Sequence, residues 1–339
     1  MTELETDFLI VGGGFSGLIA AWSARRAGRS VLLVEKSPRL GGVLNSEPWG
    51  ELAVDYGCHV FDNSDDEVTA LLFEMAGADA FAPAPITYAS RLGGLQSDGI
   101  ALLDLSRQAP DLQARVLFET VRAAASDQGP AGSATASGPT DANLAEALRR
   151  RFGATAASVL DAAARKIFQC ASAELSASAL PLTLFQRLRI VPDEMAELLK
   201  AAPPLDDRIA VSSAANPLRF YPRVARYPHR NFYPAAGGMG GFVTRAEAAL
   251  ARAGVGVSTG VAVDRLEAEG AALRADLSDG RVVRAGRMMA ASGLPTVEAL
   301  LGVETPSIGA KTHSAALVLF YFLAPETAFT GLSYVHSFD

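Results

Sequence analysis

Three glycines and one glutamate near the N-terminus have the types and spacing needed to hold a dinucleotide. Gly12, Gly14 and Gly17 form G-x-G-x-x-G directly after the apolar run at residues 8–11. The first glycine permits a tight turn, the second a close approach of backbone to a pyrophosphate, and the third close packing of helix on strand. Glu35 follows Gly17 by 18 residues, where a carboxylate can accept hydrogen bonds from ribose hydroxyls and repel a 2′-phosphate. The set predicts a dinucleotide site that disfavours NADP.

The elements around these residues are in the order that such a site requires. The run at residues 8–11 predicts a buried strand, residues 18–26 a helix ended by Gly28, and residues 31–34 a second strand that ends at Glu35. Glycine-rich turns are common, so the pattern alone is weak evidence. The complete strand, turn, helix and strand make a chance turn before a core helix the weaker alternative.

A second glycine turn, Arg39-Leu40-Gly41-Gly42, comes directly after the second strand. It resembles the R-x-G-G segment of the FAD-dependent amine oxidase and protoporphyrinogen oxidase superfamily. In that family this segment runs beside the pyrophosphate and the flavin, so the resemblance implies FAD. The cofactor contacts predicted here, besides the first three glycines and Glu35, are Phe15, Ser16, Lys36, Arg39, Gly41 and Gly42.

The segment from Asp55 to Phe61 reads D-x-G-x-H-x-F. It resembles the protoporphyrinogen oxidase-like branch, and its G-x-H-x-F part is also similar to UDP-galactopyranose mutases. Both resemblances imply that Gly57, Cys58 and His59 lie near the isoalloxazine ring. From the residues alone, His59 is better explained as a structural histidine beside a turn, and the resemblance reverses this preference. Cys58 and His59 form no nucleophilic pair, because neighbours on an extended strand point to opposite faces.

A third segment, residues 232–241, reads F-Y-P-A-A-G-G-M-G-G. It resembles the F-Y-P-x-G-G-M-G element of protoporphyrinogen oxidase-like proteins, which implies that Gly238 and Met239 lie close to the flavin before a helix at residues 242–252. The same resemblance implies that Val263 makes a backbone contact with the adenine.

Arginines alternate with aromatic residues between positions 216 and 234, and the prolines there exclude a helix. Guanidinium groups beside aromatic rings suit a planar or phosphorylated ligand. They suit a solvated connector equally well, with arginine stems lying on tyrosine rings. Arg219, Tyr221 and Arg223 are the candidate substrate contacts from this segment.

Other patterns predict the remaining elements. A helix is expected from about residue 64 with Ser64 or Asp65 as its cap, and an Asp279-Gly280 hairpin turn between two late strands. Three further helices are predicted at residues 112–125, 143–152 and 156–170.

The composition excludes several classes of protein. The chain has 339 residues, enough for about two domains, and a net charge of −7, which argues against nucleic-acid binding. Two cysteines cannot build a disulfide framework, so a cytoplasmic location is expected. No signal peptide or membrane-spanning run is expected, and the four scattered histidines predict no metal site.

The fold class that the resemblance implies is α/β, with a Rossmann-like FAD-binding domain from discontinuous segments and an inserted α+β substrate domain. The FAD-binding domain is assigned to residues 1–85 and 231–302. The substrate domain is assigned to residues 86–230 and 303–339, with a mobile loop at 127–141. Related flavoproteins continue into a C-terminal glycine-acid segment that this chain lacks, which favours a truncated chain.

The function implied by the resemblance is an FAD-dependent oxidoreductase that transfers hydride from a small organic substrate to flavin N5. No side chain is predicted to be catalytic. One alternative is a redox-neutral mutase similar to UDP-galactopyranose mutase, and another is a non-enzymatic binding protein on the same fold, as in Rab GDP-dissociation inhibitors. Substrate, electron acceptor and oligomeric state stay open.

Overall fold

The computed structural model describes residues 3–57, 60–63, 65–126, 142–212, 229–302, 320–321, 325–328 and 331–338. The chain divides into two compact units, and each is built from two separate segments. Unit 1 comprises Met1–Pro85 and Arg223–Phe322, and unit 2 comprises Ile86–Pro222 and Leu323–Asp339. The assignment of cofactor and substrate roles to two domains stays a prediction, because packing shows which residues lie together and not what they bind.

Unit 1 contains a six-stranded sheet in the order β10-β2-β1-β13-β12-β11. Its strands are β1 (Glu3–Val11), β2 (Val31–Glu35), β10 (Gly256–Thr259), β11 (Val263–Glu269), β12 (Ala272–Leu277) and β13 (Val282–Ala290). The four strands β10, β2, β1 and β13 pair in parallel, while β12 and β11 continue the sheet antiparallel. The carboxyl ends of the parallel strands therefore meet at one edge of the sheet.

Strand β1 begins at Glu3, well before the apolar run that predicted it. Its whole length pairs with β13, from Glu3 opposite Val282 to Val11 opposite Ala290. Only the last three residues are buried. The charged first half is therefore stabilised by backbone pairing, which hydrophobicity does not reveal. The predicted hairpin at Asp279-Gly280 is confirmed between β12 and β13.

Four helices belong to unit 1 in the described part of the chain. They are α1 (Phe15–Arg26), α2 (Asp66–Ala76), α8 (Gly238–Arg252) and α9 (Leu294–Leu301). Asp65 caps α2 by accepting from the N–H groups of Glu67 and Val68, as predicted. Helix α8 starts at Gly238 and not at residue 242, so the glycine-rich segment forms its first turn.

Short strands β5 (Phe61–Asp62), β6 (Phe81–Pro83) and β9 (Asn231–Pro234) pair beside these helices in the order β5-β9-β6. Their phenylalanines form an aromatic core with the helices. The Phe61 and Phe242 rings meet edge to face at 5.0 Å, and those of Phe81 and Phe232 at 5.1 Å. Such pairs add to the apolar burial that fixes α8 in place. A hairpin, β3 (Ser46–Trp49) and β4 (Leu52–Asp55), also packs on α8.

Unit 2 packs helices around a separate apolar core. Its helices are α3 (Pro110–Ser126), α4 (Leu144–Phe152), α5 (Ala154–Phe168), α6 (Asp193–Lys200) and α7 (Pro203–Asp206), and its strands are β7 (Tyr88–Leu92), β8 (Leu95–Asp98) and β14 (Tyr334–Ser337). Phe152 and Phe185 are wholly buried in this core. Asn143 caps α4 by accepting from the Glu146 N–H at 3.0 Å. The predicted mobile loop at 127–141 lies outside the described residues.

No helix among the described residues is both long and apolar enough to cross a bilayer.

Candidate dinucleotide site

The first and third glycines of the loop after β1 are required by the packing of the protein itself. Gly12 has φ +107°, and a Cβ there would lie 2.6 Å from the carbonyl oxygen of Ala291. A Cβ on Gly17 would lie 1.9 Å from the carbonyl oxygen of Gly12. Both distances are far below van der Waals contact. The loop can therefore pass between α1 and the end of β13 only with glycine at these positions.

Gly14 differs from its two partners. Its φ is −72°, and a Cβ there would meet no atom within 4 Å. Gly14 is the N-cap of α1, has no side chain to cap the helix, and its carbonyl accepts the first helical bond from Leu18 at 3.0 Å. The open space over Gly14 thus lies at the positive end of a helix, where N–H groups favour an anion. Ser16 is exposed in the same turn, and Phe15 is half-buried with its ring 6.0 Å from that of Phe61.

The Glu35 carboxylate is held at the carboxyl end of β2 by two backbone donors. Oε2 accepts from the Gly13 N–H at 2.7 Å, and Oε1 accepts from the Ser37 N–H at 2.7 Å. The group is half-buried. Each carboxylate oxygen has a further lone pair, so the side chain is oriented and can still accept from a ligand hydroxyl.

The two glycine turns lie side by side. The Gly41 N–H donates to the Gly13 carbonyl at 2.8 Å, and a Cβ on Gly42 would be 3.5 Å from the Gly14 Cα. Gly41 and Gly42 both have positive φ, +104° and +54°. The R-x-G-G turn is therefore part of the same loop cluster, at the same edge of the sheet.

Arg39 and Lys36 are exposed beside this cluster. The Arg39 guanidinium is 2.5 Å from Glu47 Oε1 and 3.2 Å from the Tyr56 hydroxyl, which itself donates to Glu47. The hydrogen bonds from Tyr56 and then Arg39 lower the pKa of Glu47, and the bond to Glu47 raises the pKa of Arg39. Arg39 therefore stays charged and is oriented by an exposed acid.

The segment that leads to Val263 borders Glu35. The Gly260 N–H donates to the Ser37 carbonyl at 2.8 Å, and the Val261 N–H donates to the Glu35 carbonyl at 3.0 Å. Val263 is half-buried and begins β11. The structure thus brings this segment to the end of β2, beside the acid predicted to bind ribose.

Gly238 and Met239 begin α8, and a buried acid that the sequence analysis did not select holds them. Asp55 is 5% exposed. It accepts from the Met239 N–H at 2.9 Å and the Tyr233 hydroxyl at 2.6 Å. A Cβ on Gly238 would lie 2.7 Å from Asp55 Oδ1, and Met239 is wholly buried. These contacts give both residues a packing role, while their predicted contact with a cofactor stays a prediction.

Asp55 is the first residue of the D-x-G-x-H-x-F segment quoted above. Its place in that segment was the sequence feature that could have identified it. An acid that directly follows the apolar residues Leu52, Ala53 and Val54 of one strand needs buried donors. Ser46 completes the arrangement, since its hydroxyl donates to Asp55 Oδ1 at 2.5 Å and accepts from the Gly240 N–H at 2.8 Å. Ser46 and Asp55 together cap the N-terminus of α8 from the β3–β4 hairpin.

Of the remaining predicted contacts, Gly57 alone lies within the described residues. Gly57 is exposed with φ +105°. Cys58 and His59 lie outside the described residues, as do the candidate substrate residues Arg219, Tyr221 and Arg223. Arg230, from the same arginine-rich segment, pairs with Asp62 at 2.6 Å. In the part of the chain that the structure describes, no three His, Cys, Asp or Glu side chains form a group that could hold a metal ion.

The sequence of the site matches known nucleotide-binding proteins. The sequence model of the NAD(P)-binding Rossmann-like domain family matches residues 10–75. The FAD-dependent oxidoreductase dbaF of Emericella nidulans is 44% identical over 63 residues, which are 18% of this chain and 14% of that protein. Coproporphyrinogen III oxidase of Mycobacterium bovis is 39% identical over 76 residues, which are 22% of this chain and 17% of that protein. The matched part is thus less than a fifth of each relative.

Solved structures extend the likeness to most of the chain. A UDP-galactopyranose mutase superposes with a TM-score of 0.57 at 16% identity, covering 86% of this chain and 56% of that protein. A putrescine oxidase variant superposes with a TM-score of 0.54 at 18% identity, covering 88% and 60%. The resemblance stated from the motifs is confirmed as a likeness of fold. Residues 10–75 therefore match the NAD(P)-binding Rossmann-like domain family, and the chain has the α/β fold of these oxidase and mutase structures.

Proposed function

We propose that the chain binds FAD at the carboxyl edge of the unit 1 sheet and acts as an FAD-dependent oxidoreductase on a small organic molecule. The observation that carries the proposal is the open space over Gly14 at the uncapped N-terminus of α1. A pyrophosphate needs this combination of close backbone approach and positive helix end. The names of the two oxidoreductase relatives support the choice of reaction.

The residues of the site fit a dinucleotide whose adenosine lies towards β2. Glu35 would accept hydrogen bonds from the ribose, because its carboxylate is already oriented by Gly13 and Ser37. The backbone near Val263, which borders Glu35, would contact the adenine. Gly14 and Gly42 would face the pyrophosphate, and Arg39 would stand near its negative charge.

Bound FAD would supply the redox chemistry, accepting a hydride from a carbon centre of the substrate. The chain's own contribution would be binding and orientation, and we assign no acid or base. Phe15 would line the site from the first turn of α1, where it is backed by Phe61 and Phe242. A cytoplasmic location, expected from the two cysteines, is part of this proposal.

Titration of the purified protein with FAD, followed by quenching of flavin fluorescence, tests the proposal. We expect saturable binding of FAD and no comparable binding of NADP⁺, because a 2′-phosphate beside Glu35 would face like charge. Flavin that is bound should then be bleached anaerobically by an oxidisable substrate found in a screen of small amines and porphyrinogens. Absence of FAD binding would overturn the proposal.

A mutase function would give a different result in the same preparation. Reduced flavoprotein would then bind a UDP-sugar and isomerise it with no net oxidation. The fold accommodates both activities, since a UDP-galactopyranose mutase is among the structures it resembles. The oxidoreductase relatives favour oxidation, and UDP-sugar binding without substrate-dependent bleaching would reverse that preference.

A further inference from the structure

One buried hydroxyl in unit 1 makes no hydrogen bond within the part of the chain that the structure describes. The Ser292 Oγ is shielded from solvent and, among the residues that the structure describes, finds no hydrogen-bond partner. Ser292 as a whole is half-buried and follows the end of β13. A hydroxyl that is buried without a partner destabilises a protein. When such a hydroxyl lies at the carboxyl edge of the sheet, it can indicate a hydrogen bond to a bound ligand.

Ser292 lies at that edge. The Ala291 N–H donates to the Val11 carbonyl at 2.7 Å, so the chain after β13 runs alongside the start of the glycine loop. A Cβ on Gly12 would come within 3.4 Å of the Ser292 nitrogen. The hydroxyl therefore belongs to a residue packed against the first glycine of the dinucleotide motif.

The sheet topology makes this position the expected ligand crevice. From β1 the chain passes to β2 on one side, while β13 pairs with β1 on the other. Ligands of open parallel sheets bind outside the carboxyl ends of strands at the point where the connections diverge in this way. The Gly12 loop after β1 and Ser292 after β13 lie on the two sides of that point.

The charge environment favours an anion. Helix α9 begins two residues after Ser292, and its N-cap Gly293 supplies no side-chain cap. The positive ends of α1 and α9 therefore start from neighbouring strands at the same edge. A serine hydroxyl moves between three staggered positions by rotation about one bond. Because Oγ is shielded in its present position, a hydrogen bond to a bound phosphate requires such a rotation of the Ser292 side chain.

We propose that the Ser292 hydroxyl donates a hydrogen bond to a phosphate oxygen of the dinucleotide bound at the glycine loop. This inference rests on the proposed function and adds a binding residue from the second sequence segment of unit 1. The ligand chemistry is a nucleoside diphosphate group, which FAD and ADP share. Ser292 is a binding residue and takes no part in hydride transfer.

The test compares Ser292→Ala with Ser90→Ala, a matched control. Ser90 is 1% exposed on β7 of unit 2, and its Oγ likewise has no hydrogen-bond partner among the described residues. In the absence of ligand, both variants should unfold at the wild-type temperature or above it, because each loses only an unpaired polar group. With FAD or ADP as the probe, Ser292→Ala should raise Kd roughly tenfold or more, as expected for a lost hydrogen bond to a charged group. Ser90→Ala should bind both probes as the wild type does.

Three outcomes overturn the inference. Wild-type affinity for FAD and ADP in folded Ser292→Ala would show that the hydroxyl contacts no phosphate. A large loss of thermal stability in Ser292→Ala without ligand would show that the hydroxyl already has a partner in the fold. Failure of the wild-type protein to bind either probe would overturn the proposed function itself, and is distinguished by affecting all three proteins equally.

Discussion

At the residue scale, the three glycines of the loop are constrained by different neighbours. Gly12 and Gly17 lie against protein backbone, whereas Gly14 faces open space. The packing of the protein does not require glycine at position 14. The simplest explanation is that a ligand must approach the backbone there. The distinction separates the glycines that the fold requires from the glycine that we propose a ligand requires, which sequence spacing alone does not do.

This difference predicts opposite effects of two alanine substitutions. Gly17→Ala places a methyl group 1.9 Å from the Gly12 carbonyl oxygen, so the loop must shift, with an expected loss of about 1–3 kcal/mol in free energy of unfolding. Gly14→Ala should change the free energy of unfolding by less than about 1 kcal/mol, yet weaken FAD binding roughly tenfold or more, since its methyl fills the approach to the pyrophosphate. Urea unfolding without FAD and FAD titration measure the two effects.

Equal loss of stability in both variants would show that Gly14 serves the fold. Unchanged FAD affinity in Gly14→Ala would show that the ligand does not approach this residue. Gly94→Ala is a less suitable control because φ there is +73°. Ala20→Gly, at a half-buried position within α1, is a better one, and should cost about 1 kcal/mol with no change in FAD affinity.

Residue spacing predicted the site where its parts are local in sequence and missed it where they are not. The glycine loop, Glu35 and the second glycine turn fall within one short segment, and all of them meet in the structure. Asp55 was not selected because its partners are distant in sequence. Met239, for example, lies 184 residues after it. Ser292 was missed for the same reason, since its relation to Gly12 depends on the pairing of β1 with β13.

At the element scale, apolar runs located strands and helices but not their full extents. Strand β1 is extended by pairing with β13, and α8 by contacts from the β3–β4 hairpin to its first turn. Glycine is a poor helix former. The start of α8 at Gly238 therefore depends on Ser46 and Asp55, which accept from its first N–H groups.

This dependence predicts a measurable cost for removing the Ser46 hydroxyl. Ser46→Ala leaves the Gly240 N–H without its acceptor and Asp55 without one donor. We expect a loss of about 1–2 kcal/mol in free energy of unfolding, as for the loss of a helix cap. Thr244→Ala, at an exposed position on the same helix, should change stability by less than about 0.5 kcal/mol. Equal stability of Ser46→Ala and wild type in urea unfolding would contradict the cap.

A contact in unit 2, between Asp161 of α5 and Ser172, should make the stability of the fold depend on pH. Asp161 on α5 accepts from the Ser172 N–H at 2.8 Å and hydroxyl at 2.6 Å, and from Arg165 at 2.9 Å. These bonds, that from the Ser172 hydroxyl foremost, lower the pKa of Asp161 below its ordinary 3.8. Because the folded pKa is depressed, the stabilisation is present above pH 3.8 and is lost as pH falls through the folded value.

Asp161→Asn removes the charge and keeps the shape, so it should be about 1 kcal/mol less stable than wild type at pH 7. The difference should be the same in urea unfolding at pH 5 as at pH 7, and should shrink at pH 3.5 and below. Asp111→Asn breaks an exposed pair with Arg115 and should cost less than about 0.5 kcal/mol at every pH. A difference between wild type and Asp161→Asn that does not change with pH would show that charge is not the stabilising feature.

At the scale of the whole molecule, the candidate site is assembled from both sequence segments of unit 1. The glycine loop and Glu35 come from the first segment, and the backbone near Val261 and Ser292 comes from the second. The resemblance of the motifs to the FAD-dependent amine oxidase superfamily predicted an α/β chain with a discontinuous nucleotide domain. The exact strand order was not readable, because β13 pairs with β1 and β10 pairs with β2 across long stretches of sequence.

This assembly predicts which backbone amides FAD should protect in hydrogen exchange. A ligand that binds only the native state adds about 2.7 kcal/mol of stability at 100 times its Kd, and local opening at its contacts is suppressed most. Saturating FAD should therefore slow exchange at four separated segments on the carboxyl edge, residues 12–17, 35–42, 260–263 and 291–293. Turns at the opposite edge, residues 27–30 and 278–281, are the internal control and should slow less. Protection restricted to residues 12–42 would place the ligand on the first segment alone, and protection strongest at the control turns would place it at the wrong edge of the sheet.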